Sequence, residues 1–366
     1  MQTTRTPTSR KSSESPPEPL TSRRLEVEDD PLALYERSMA EGWGDGLPVV
    51  APTEERVRQL LAATPYYPDD VICTLAPRNG VATVEKAAVN AALAGCEPEA
   101  FPLVIAALEG ISAPEFNLFG LATTTSSVIP MLIVNGPRRA ALQIDMAAGC
   151  MGGAAGRGSM TIGRAVCLCL RNIGGQRVGL TSKSVFGQPA RSGLCFAEWE
   201  EESPWPSVAE PRGFRAVDEV VTVHGGKGTF PMADIHNDDP RDLLTLVAKT
   251  VAFPLSNTFL ALHASDGEIV LAFNPVWARR FAAVFPDIAD LQQFLRDEAW
   301  QPIELWPPGN QQIIERQGRV DAAGRVHLVE RPDQFVIVVC GGKGSLHAVC
   351  LPSWGESHLQ SRAVNR

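Results

Sequence analysis

The stretch EIVLAFNPVWARRFAAVF, residues 268–285, decides the fold class that this chain is expected to adopt. It begins with an apolar run, Ile269 to Phe273, whose composition favours a buried strand. Asn274 and Pro275 then end the strand, and the next residues have the apolar spacing of a helix that buries Trp277. Strand, proline turn and helix together form the βα unit of layered α/β proteins.

The same order of elements occurs in MLIVNGPRRAALQIDMAA, residues 131–148. Here the apolar run Met131 to Val134 precedes Asn135, Gly136 and Pro137, and an alanine-rich segment follows. Two such units in separate halves of the chain predict an α/β fold of two lobes with mixed or parallel sheets. They also indicate a duplicated architecture.

The length of 366 residues indicates more than one hydrophobic core. We expect a disordered tail at residues 1–29, because its Ser, Thr, Pro and mixed charges bury too little apolar surface. An N-terminal α/β lobe at residues 30–214 and a C-terminal α/β lobe at residues 215–366 follow. The first lobe ends in a long irregular connection, residues 176–214, and such segments are often functional.

Local signals predict further elements in the first lobe. A short helix is expected at Pro31 to Glu41 and a short strand at Leu47 to Ala51. Thr53 is a good N-cap for the helix that follows it. Two more helices are expected at Thr83 to Ala94 and at Thr161 to Asn172, and the second is apolar enough to be central in the fold.

Composition limits the classes of partner. The net charge of −9 argues against binding to nucleic acid, which needs a concentrated positive surface. No apolar run reaches the ~18 residues that span a bilayer, and the polar N-terminus does not have the pattern of a secretory signal. The eight cysteines show no Cys-x-x-Cys pair and no disulfide framework. We therefore expect a cytoplasmic bacterial protein with free thiols.

A glycine-rich loop precedes the predicted central helix in GCMGGAAGRGSMTIGRA, residues 149–165. Small residues permit close backbone approach, and a helix N-terminus favours an anion. The loop therefore predicts an anion site, although a tight loop that lets a buried helix pack closely would have the same composition. Its spacing is not that of a dinucleotide-binding fingerprint. The candidate residues are Gly152, Gly153, Gly156, Arg157 and Arg164.

The motif Gly-Gly-Lys-Gly occurs twice, in HGGKGTF at residues 224–230 and in CGGKGSLHAVC at residues 340–350. The longer spacing of a Walker loop is absent, so a nucleotide triphosphatase is excluded. A glycine turn at the carboxyl end of a strand can still hold an anion, although two ordinary turns would look alike. The candidates in the second motif are Gly341, Gly342, Lys343 and Ser345, with His347 as an assisting group.

The stretch LCFAEWEEESPW, residues 194–205, mixes carboxylates with large aromatic side chains. A carboxylate beside apolar rings can have a raised pKa, so Glu198 and Glu201 are candidates for proton transfer. Cys195 is a candidate nucleophile if a cation lowers its pKa. A solvated acidic face is the alternative. No metal site is predicted, because ADIHNDDP at residues 233–240 is more typical of a turn and helix cap.

The chain resembles an uncharacterised bacterial family that is associated with the small UGSC-motif selenoproteins or their cysteine forms. The similarity spans residues 42–355 and has no settled reaction attached to it. The resemblance implies a redox centre on a partner chain, because no Cys-Gly-Ser-Cys motif is present here. The stretches that carry it are DGLPVVAPTEERV, TVEKAAVNAALAGCEPEAFPLVIAAL, LIVNGP, TIGRAVCLCLRNIGG, FGQPARSGLCFAEWEEESPW and GGKGSLHAVCLPSWG.

Three functions are compatible with these patterns. The first is an enzyme whose lobes close on a small organic anion, with thiol-linked reduction or carbon–heteroatom bond cleavage as the reactions that suit the resemblance. This would make it an oxidoreductase or a lyase. The second is a non-catalytic subunit that presents substrate to a thiol or selenol protein. The third is a small-molecule binding protein. A homo-oligomer is compatible with each, and no pattern identifies a cofactor.

Overall fold

The computed structural model describes residues 19–152, 156–253, 267–344 and 347–365. Its helices are α1 Pro31–Ala40, α2 Glu54–Ala62, α3 Val84–Ala94, α4 Phe101–Ile111, α5 Leu118–Thr123, α6 Arg157–Asn172, α7 Pro240–Val251, α8 Pro275–Ala282, α9 Ile288–Glu298 and α10 Pro308–Arg316. Its strands are β1 Val71–Leu75, β2 Gly80–Thr83, β3 Ile129–Asn135, β4 Leu194–Ala197, β5 Val220–Gly226, β6 Phe230–Ala233, β7 Ile269–Phe273, β8 Trp300–Pro302, β9 Arg325–His327, β10 Phe335–Val339, β11 His347–Leu351 and β12 Gln360–Ala363.

Two four-stranded mixed sheets form the centre of the molecule. The first has the order β12-β5-β3-β4 and the second has the order β6-β11-β7-β10. In each sheet one edge strand lies parallel to its neighbour, and the remaining pairs are antiparallel. The predicted α/β fold with mixed sheets is confirmed. In both sheets two antiparallel pairs are followed by one parallel pair at the edge. The duplicated architecture stays a prediction.

The two sheets pack face to face between two layers of helices. Successive side chains of a strand point to opposite faces. The outer face of the first sheet packs with α3, α4 and α6, and that of the second packs with α7, α8 and α9. The inner faces share one buried cluster, which includes Ile129, Met131, Ile133, Leu194, Phe196, Val270, Ala272, Val336 and Val338.

Strands from the two expected lobes belong to the same sheet. β5 follows residue 214 but pairs with β3, from Ile129–Gly226 to Asn135–Val220. The chain then crosses to the second sheet as β6 and returns to the first sheet as β12. The pairing therefore continues across the boundary that we expected at residue 214.

The strand, proline turn and helix predicted at residues 268–285 are present in the structure. β7 ends at Phe273, the Asn274 side chain accepts from the N–H of Trp277, and Pro275 begins α8. An asparagine cap followed by proline at the first helical position satisfies the helix start without strain. Local chemistry therefore decides this turn.

The second predicted unit contains no helix after its strand. Residues 138–148 form turns, because the single turn closed by the Leu142 N–H on the Arg138 carbonyl stops at Gln143. Gln143 has a φ of 53°, and a left-handed residue cannot continue a right-handed helix. The helix prediction for the alanine-rich segment is therefore wrong.

The expected strand at Leu47 to Ala51 is also absent from the structure. The N–H of Val50 instead donates to the carbonyl of Leu93 at the end of α3, 3.1 Å away. The flanking residues Pro48 and Pro52 have no N–H to give to a ladder, which disfavours strand pairing.

The helix predictions at Thr53, Thr83 and Thr161 hold with small changes. Thr53 and Thr83 each cap a helix through the side-chain oxygen. The third helix starts one turn early, at Arg157, and is largely buried. A Cβ at Gly163 would lie 2.9 Å from the Leu194 nitrogen, so this glycine lets α6 pack directly on β4.

Helices α4 and α5 carry the longest apolar stretch of the chain. α4 is buried along most of its length, where it packs against β5, α3 and α6. Within the described residues, no single helix has the length and apolarity to cross a membrane. The bent pair Pro98–Ile111 and Pro114–Thr123 meets that test by length and composition alone.

Candidate functional site

The candidate site lies where the carboxyl ends of β4 and β10 meet. The N–H of Trp199, just after β4, donates to the carbonyl of Val339 at the end of β10, at 2.7 Å. The N–H of Cys340 in turn donates to the carbonyl of Phe273 in β7, at 3.0 Å. The first bond joins the two sheets and the second lies within the second sheet, so the acidic segment after β4 lies next to the second Gly-Gly-Lys-Gly motif.

Glu198 is the buried centre of this region, with 1% of its surface exposed. Its Oε2 accepts from the Asn135 amide at 2.7 Å and from the Val208 N–H at 2.9 Å. Burial raises the pKa of Glu198 to about 7, and the neighbouring Glu200 charge acts in the same direction, whereas the hydrogen bonds from Val208 and Asn135 oppose the rise. Glu198 can therefore exchange a proton near neutral pH.

Arg139 organises the acidic turn after Glu198. Its side chain is 4% exposed and donates to the Gly136 carbonyl at 2.5 Å and to the backbone carbonyl of Glu198. It also pairs with Glu201 at 2.7 Å and with Glu200 at 3.4 Å. The predicted proton-transfer residue Glu201 is thus exposed and bound to an arginine, while Glu198 is buried.

Sequence reasoning did not single out Asn135 or Arg139. The available signal was the place of Asn135 at the carboxyl end of the buried strand β3 and of Arg139 in the turn that follows, where parallel neighbours bring polar residues to one sheet edge. Asn135 spans two carboxylates, because its amide also donates to Glu200 at 3.0 Å.

Lys343 lies on the solvent side of the same region. Its Nζ is 2.5 Å from a Glu202 oxygen and 5.2 Å from the centre of the Trp199 ring. Glu202 also pairs with Arg279 at 2.7 Å, and these two partners lower the pKa of its carboxyl. The structure therefore places Lys343 beside the ring of Trp199, the residue that directly follows Glu198.

Gly341 and Gly342 of the second motif lie against the turns that follow β3. The Gly341 N–H donates to the Met146 carbonyl at 2.8 Å, so this N–H is already hydrogen-bonded within the protein. A Cβ at Gly342 would lie 3.2 Å from Ala148, which shows how closely the two segments approach. His347 begins β11 opposite Ala233 and is exposed. Ser345 lies outside the described residues.

At the described start of α6, a side chain of the protein lies where the glycine loop was expected to hold an anion. The Gly156 N–H at the helix start donates to the Asp145 carboxylate at 3.1 Å, and the Asp145 N–H donates to the Ser159 hydroxyl oxygen at 2.7 Å. A side chain of the protein therefore already supplies the negative charge that the helix start favours. Gly152 is exposed with a φ of 94°, as in a turn, and Gly153 lies outside the described residues.

Both arginines of this loop bind elsewhere, so their predicted anion-binding role is not supported. Arg157 donates to the Gly95 carbonyl at 3.0 Å and pairs with Glu97. Arg164 pairs with Asp45 at 2.7 Å and so ties α6 to the segment before α2. These contacts agree with the alternative interpretation of the sequence, in which the tight loop lets a buried helix pack closely.

The structure also argues against Cys195 as a nucleophile. Its side chain is buried in β4 and faces the apolar cluster between the first sheet and its helices. Burial raises the pKa of its thiol far above the usual range, and nearby Cys96 and Asp145 act in the same direction. A thiol in such surroundings is inert.

The described part of the chain contains no group of three or more His, Cys, Asp and Glu side chains that could hold a metal ion. The stretch at residues 233–240 forms the turn and cap that its sequence indicated. Asp234 accepts from the N–H groups of His236 and Asn237, and Asp239 caps α7.

Comparison of the chain with models of known protein families and with curated proteins finds no match.

Proposed function

We propose that this chain is an enzyme that acts on a small organic anion by proton transfer, with Glu198 as the group that takes or gives the proton. Of the two reactions that the sequence suggested, carbon–heteroatom bond cleavage suits this site best. In such a cleavage a base removes a proton from carbon and the heteroatom group leaves with its electron pair. The proton and the leaving group depart together as the neutral acid, so no redox partner is required.

The placement of Glu198 supports the proposal most strongly. It is a buried carboxyl at the junction of two sheets, held in one orientation by N–H donors from β3 and from the Val208 segment. A general base works best when its pKa is close to the working pH. An exposed glutamate has a pKa near 4.3 and would be a weaker base at neutral pH.

Lys343 is the group that would bind the negative charge of the substrate. Its ion pair with Glu202 lies at the surface, where such pairs contribute little to stability. Exchanging Glu202 for a substrate carboxylate is therefore inexpensive, since Glu202 keeps Arg279 as its second partner. The Trp199 ring beside Lys343 offers an apolar surface to the rest of a small substrate.

The proposal includes a cytoplasmic location and a candidate protein partner. A cytoplasmic location fits eight cysteines that remain thiols. The resemblance to the family associated with UGSC-motif proteins suggests a thiol or selenol protein as a neighbour. A subunit that only presents substrate to such a protein is the alternative, and it predicts ligand binding without turnover.

The proposal is tested by hydrogen exchange. A panel of small carboxylic acids is incubated with the protein in D₂O, and loss of the proton next to the carboxylate is followed by NMR. We expect exchange of at least one acid, reduced about 100-fold or more in Glu198→Gln and unchanged in Glu55→Gln, an exposed glutamate of α2. A substrate-presenting subunit would show ligand-dependent stabilisation but no exchange, and equal rates in both variants would exclude Glu198 as the base.

A further inference from the structure

Two cysteines that are far apart in the sequence meet beside the candidate site. Cys150 ends the turns that follow β3, and Cys340 directly follows β10. Both belong to the buried cluster between the sheets, and each is 4% exposed. Each thiol is the group that affects the pKa of the other most strongly, so the two side chains lie next to each other in this cluster.

The backbone around the two cysteines holds this contact. The segment before Cys150 accepts a hydrogen bond at the Met146 carbonyl from the N–H of Gly341, 2.8 Å away. Gly342 lies against Ala148 in the same pair of segments, where a Cβ would come within 3.2 Å. The side-chain contact is therefore part of a close approach of two backbone segments.

The two thiols also differ electrostatically from the other cysteines. The interaction with Cys340 lowers the pKa of the Cys150 thiol below its usual value, although burial opposes this shift. The same interaction raises the pKa of Cys340, and burial adds to this. By contrast, burial raises the pKa of the other six thiols, which are Cys73, Cys96, Cys167, Cys169, Cys195 and Cys350.

We propose that Cys150 and Cys340 form a redox-active dithiol that exchanges with low-molecular-weight disulfides and cycles to an intramolecular disulfide. This activity goes beyond the proton transfer proposed for Glu198 and does not depend on it. The eight cysteines are free thiols in the structure, which therefore shows the reduced form.

The exchange takes place in two displacements. The Cys150 thiolate attacks one sulfur of a disulfide RSSR, which forms a mixed disulfide at Cys150 and releases RS⁻. Cys340 then attacks the Cys150 sulfur, forms the Cys150–Cys340 bond, and expels the second RS⁻. The two protons of the protein thiols pass to the two departing thiolates. The protein loses two electrons and two protons, and RSSR is reduced to two RSH.

The order of attack follows from the thiols themselves. The thiolate is the nucleophile, so the cysteine with the lower pKa reacts first and its partner resolves the mixed disulfide. Cys150 also lies two residues from the exposed turn at Gly152. The two residues that follow Cys340 are Gly341 and Gly342. Because glycine has no side chain, these two residues obstruct the approach to the cysteines less than larger residues would, which favours access for a small disulfide.

The test uses the full-length protein in glutathione redox buffers of increasing oxidised fraction. After acid quenching, free thiols are alkylated and counted by intact mass, and peptide mapping identifies any crosslink. We expect six alkylated cysteines in place of eight, at a mass about 2 Da below that of a protein with six alkyl groups and two free thiols, and a Cys150–Cys340 link that dithiothreitol reverses.

Variants separate the roles of the two thiols. Cys340→Ser should accumulate one glutathione on Cys150, and Cys150→Ser should accumulate none on Cys340. Cys350→Ser, which removes another buried thiol, should behave as wild type. If a serine variant fails to fold, as judged by circular dichroism, the alanine variant takes its place.

Eight free thiols at every buffer ratio, or a crosslink between other cysteines, would overturn the proposal. The assay contains no organic acid, so such a failure would leave proton transfer at Glu198 intact. Conversely, a protein that fails the hydrogen-exchange assay should still form the Cys150–Cys340 link.

Discussion

Replacing Glu198 by glutamine should change how the stability of the protein depends on pH. Burial raises the pKa of Glu198 from its ordinary 4.5 to about 7 in the folded chain. Between these values the folded protein keeps a proton that the unfolded chain has lost. Stability therefore falls as pH rises through this window, and the loss is complete above the folded pKa.

The size of the effect follows from the shift. One pKa unit corresponds to about 1.4 kcal/mol, so the full window is worth about 3 kcal/mol, of which about 2.5 kcal/mol falls between pH 5 and pH 8. Glutamine keeps the shape and an acceptor oxygen but carries no charge. The stability of Glu198→Gln relative to wild type should therefore improve by about 2.5 kcal/mol from pH 5 to pH 8.

Thermal unfolding measures this difference. For a chain of 366 residues, about 2.5 kcal/mol corresponds to about 3 °C in Tm. Any constant cost of the substitution, such as a clash with the N–H of Val339, cancels in the comparison between pH values. Glu55→Gln serves as the control, since Glu55 is exposed and should give no comparable change. A Tm difference between Glu198→Gln and wild type that stays constant from pH 5 to pH 8 would refute the reasoning.

Two further substitutions test the framework around the site. Arg139→Met should destabilise the protein by about 3–5 kcal/mol, because it leaves buried acceptors without their donor, whereas Arg215→Met, at a pair in which the arginine is 80% exposed, should have little effect on stability. Equal costs in urea unfolding would contradict the role of Arg139. Gly163→Ala should cost about 1–3 kcal/mol, because its Cβ would meet the β4 backbone, while Gly309→Ala in α10 has open space and should be neutral or slightly stabilising. A neutral Gly163→Ala would mean that α6 can shift away from β4.

Sequence reasoning located the elements whose signals are local. The Asn274 turn and the caps at Thr53 and Thr83 depend on residues within a few positions of each other, and all three appear in the structure. Glu198 and Glu201 were identified together, because a carboxylate beside apolar rings can have a raised pKa, and only the structure separates the buried residue from the exposed one. Asn135, the partner of Glu198, stood at the end of another strand, so their contact depended on the strand order.

The glycine loop shows why the rest of the site could not be predicted. The composition of residues 149–165 was that of an anion site, but the charge that meets the helix start is Asp145, supplied by the preceding turns. Nothing local in the sequence places that carboxylate opposite Gly156. The contact of Cys150 with Cys340 likewise requires the two sheets to pack face to face, a packing that no short pattern encodes.

The protonation of Glu198 is the central claim, and infrared spectroscopy of the carboxyl group measures it most directly. The difference spectrum between wild type and Glu198→Gln, recorded across a pH titration, isolates the carbonyl band of one protonated glutamate. We predict that this band is present at pH 5 and disappears with a midpoint at a pH of about 7. A band that is already lost at pH 5, as for an ordinary exposed glutamate, would contradict the account.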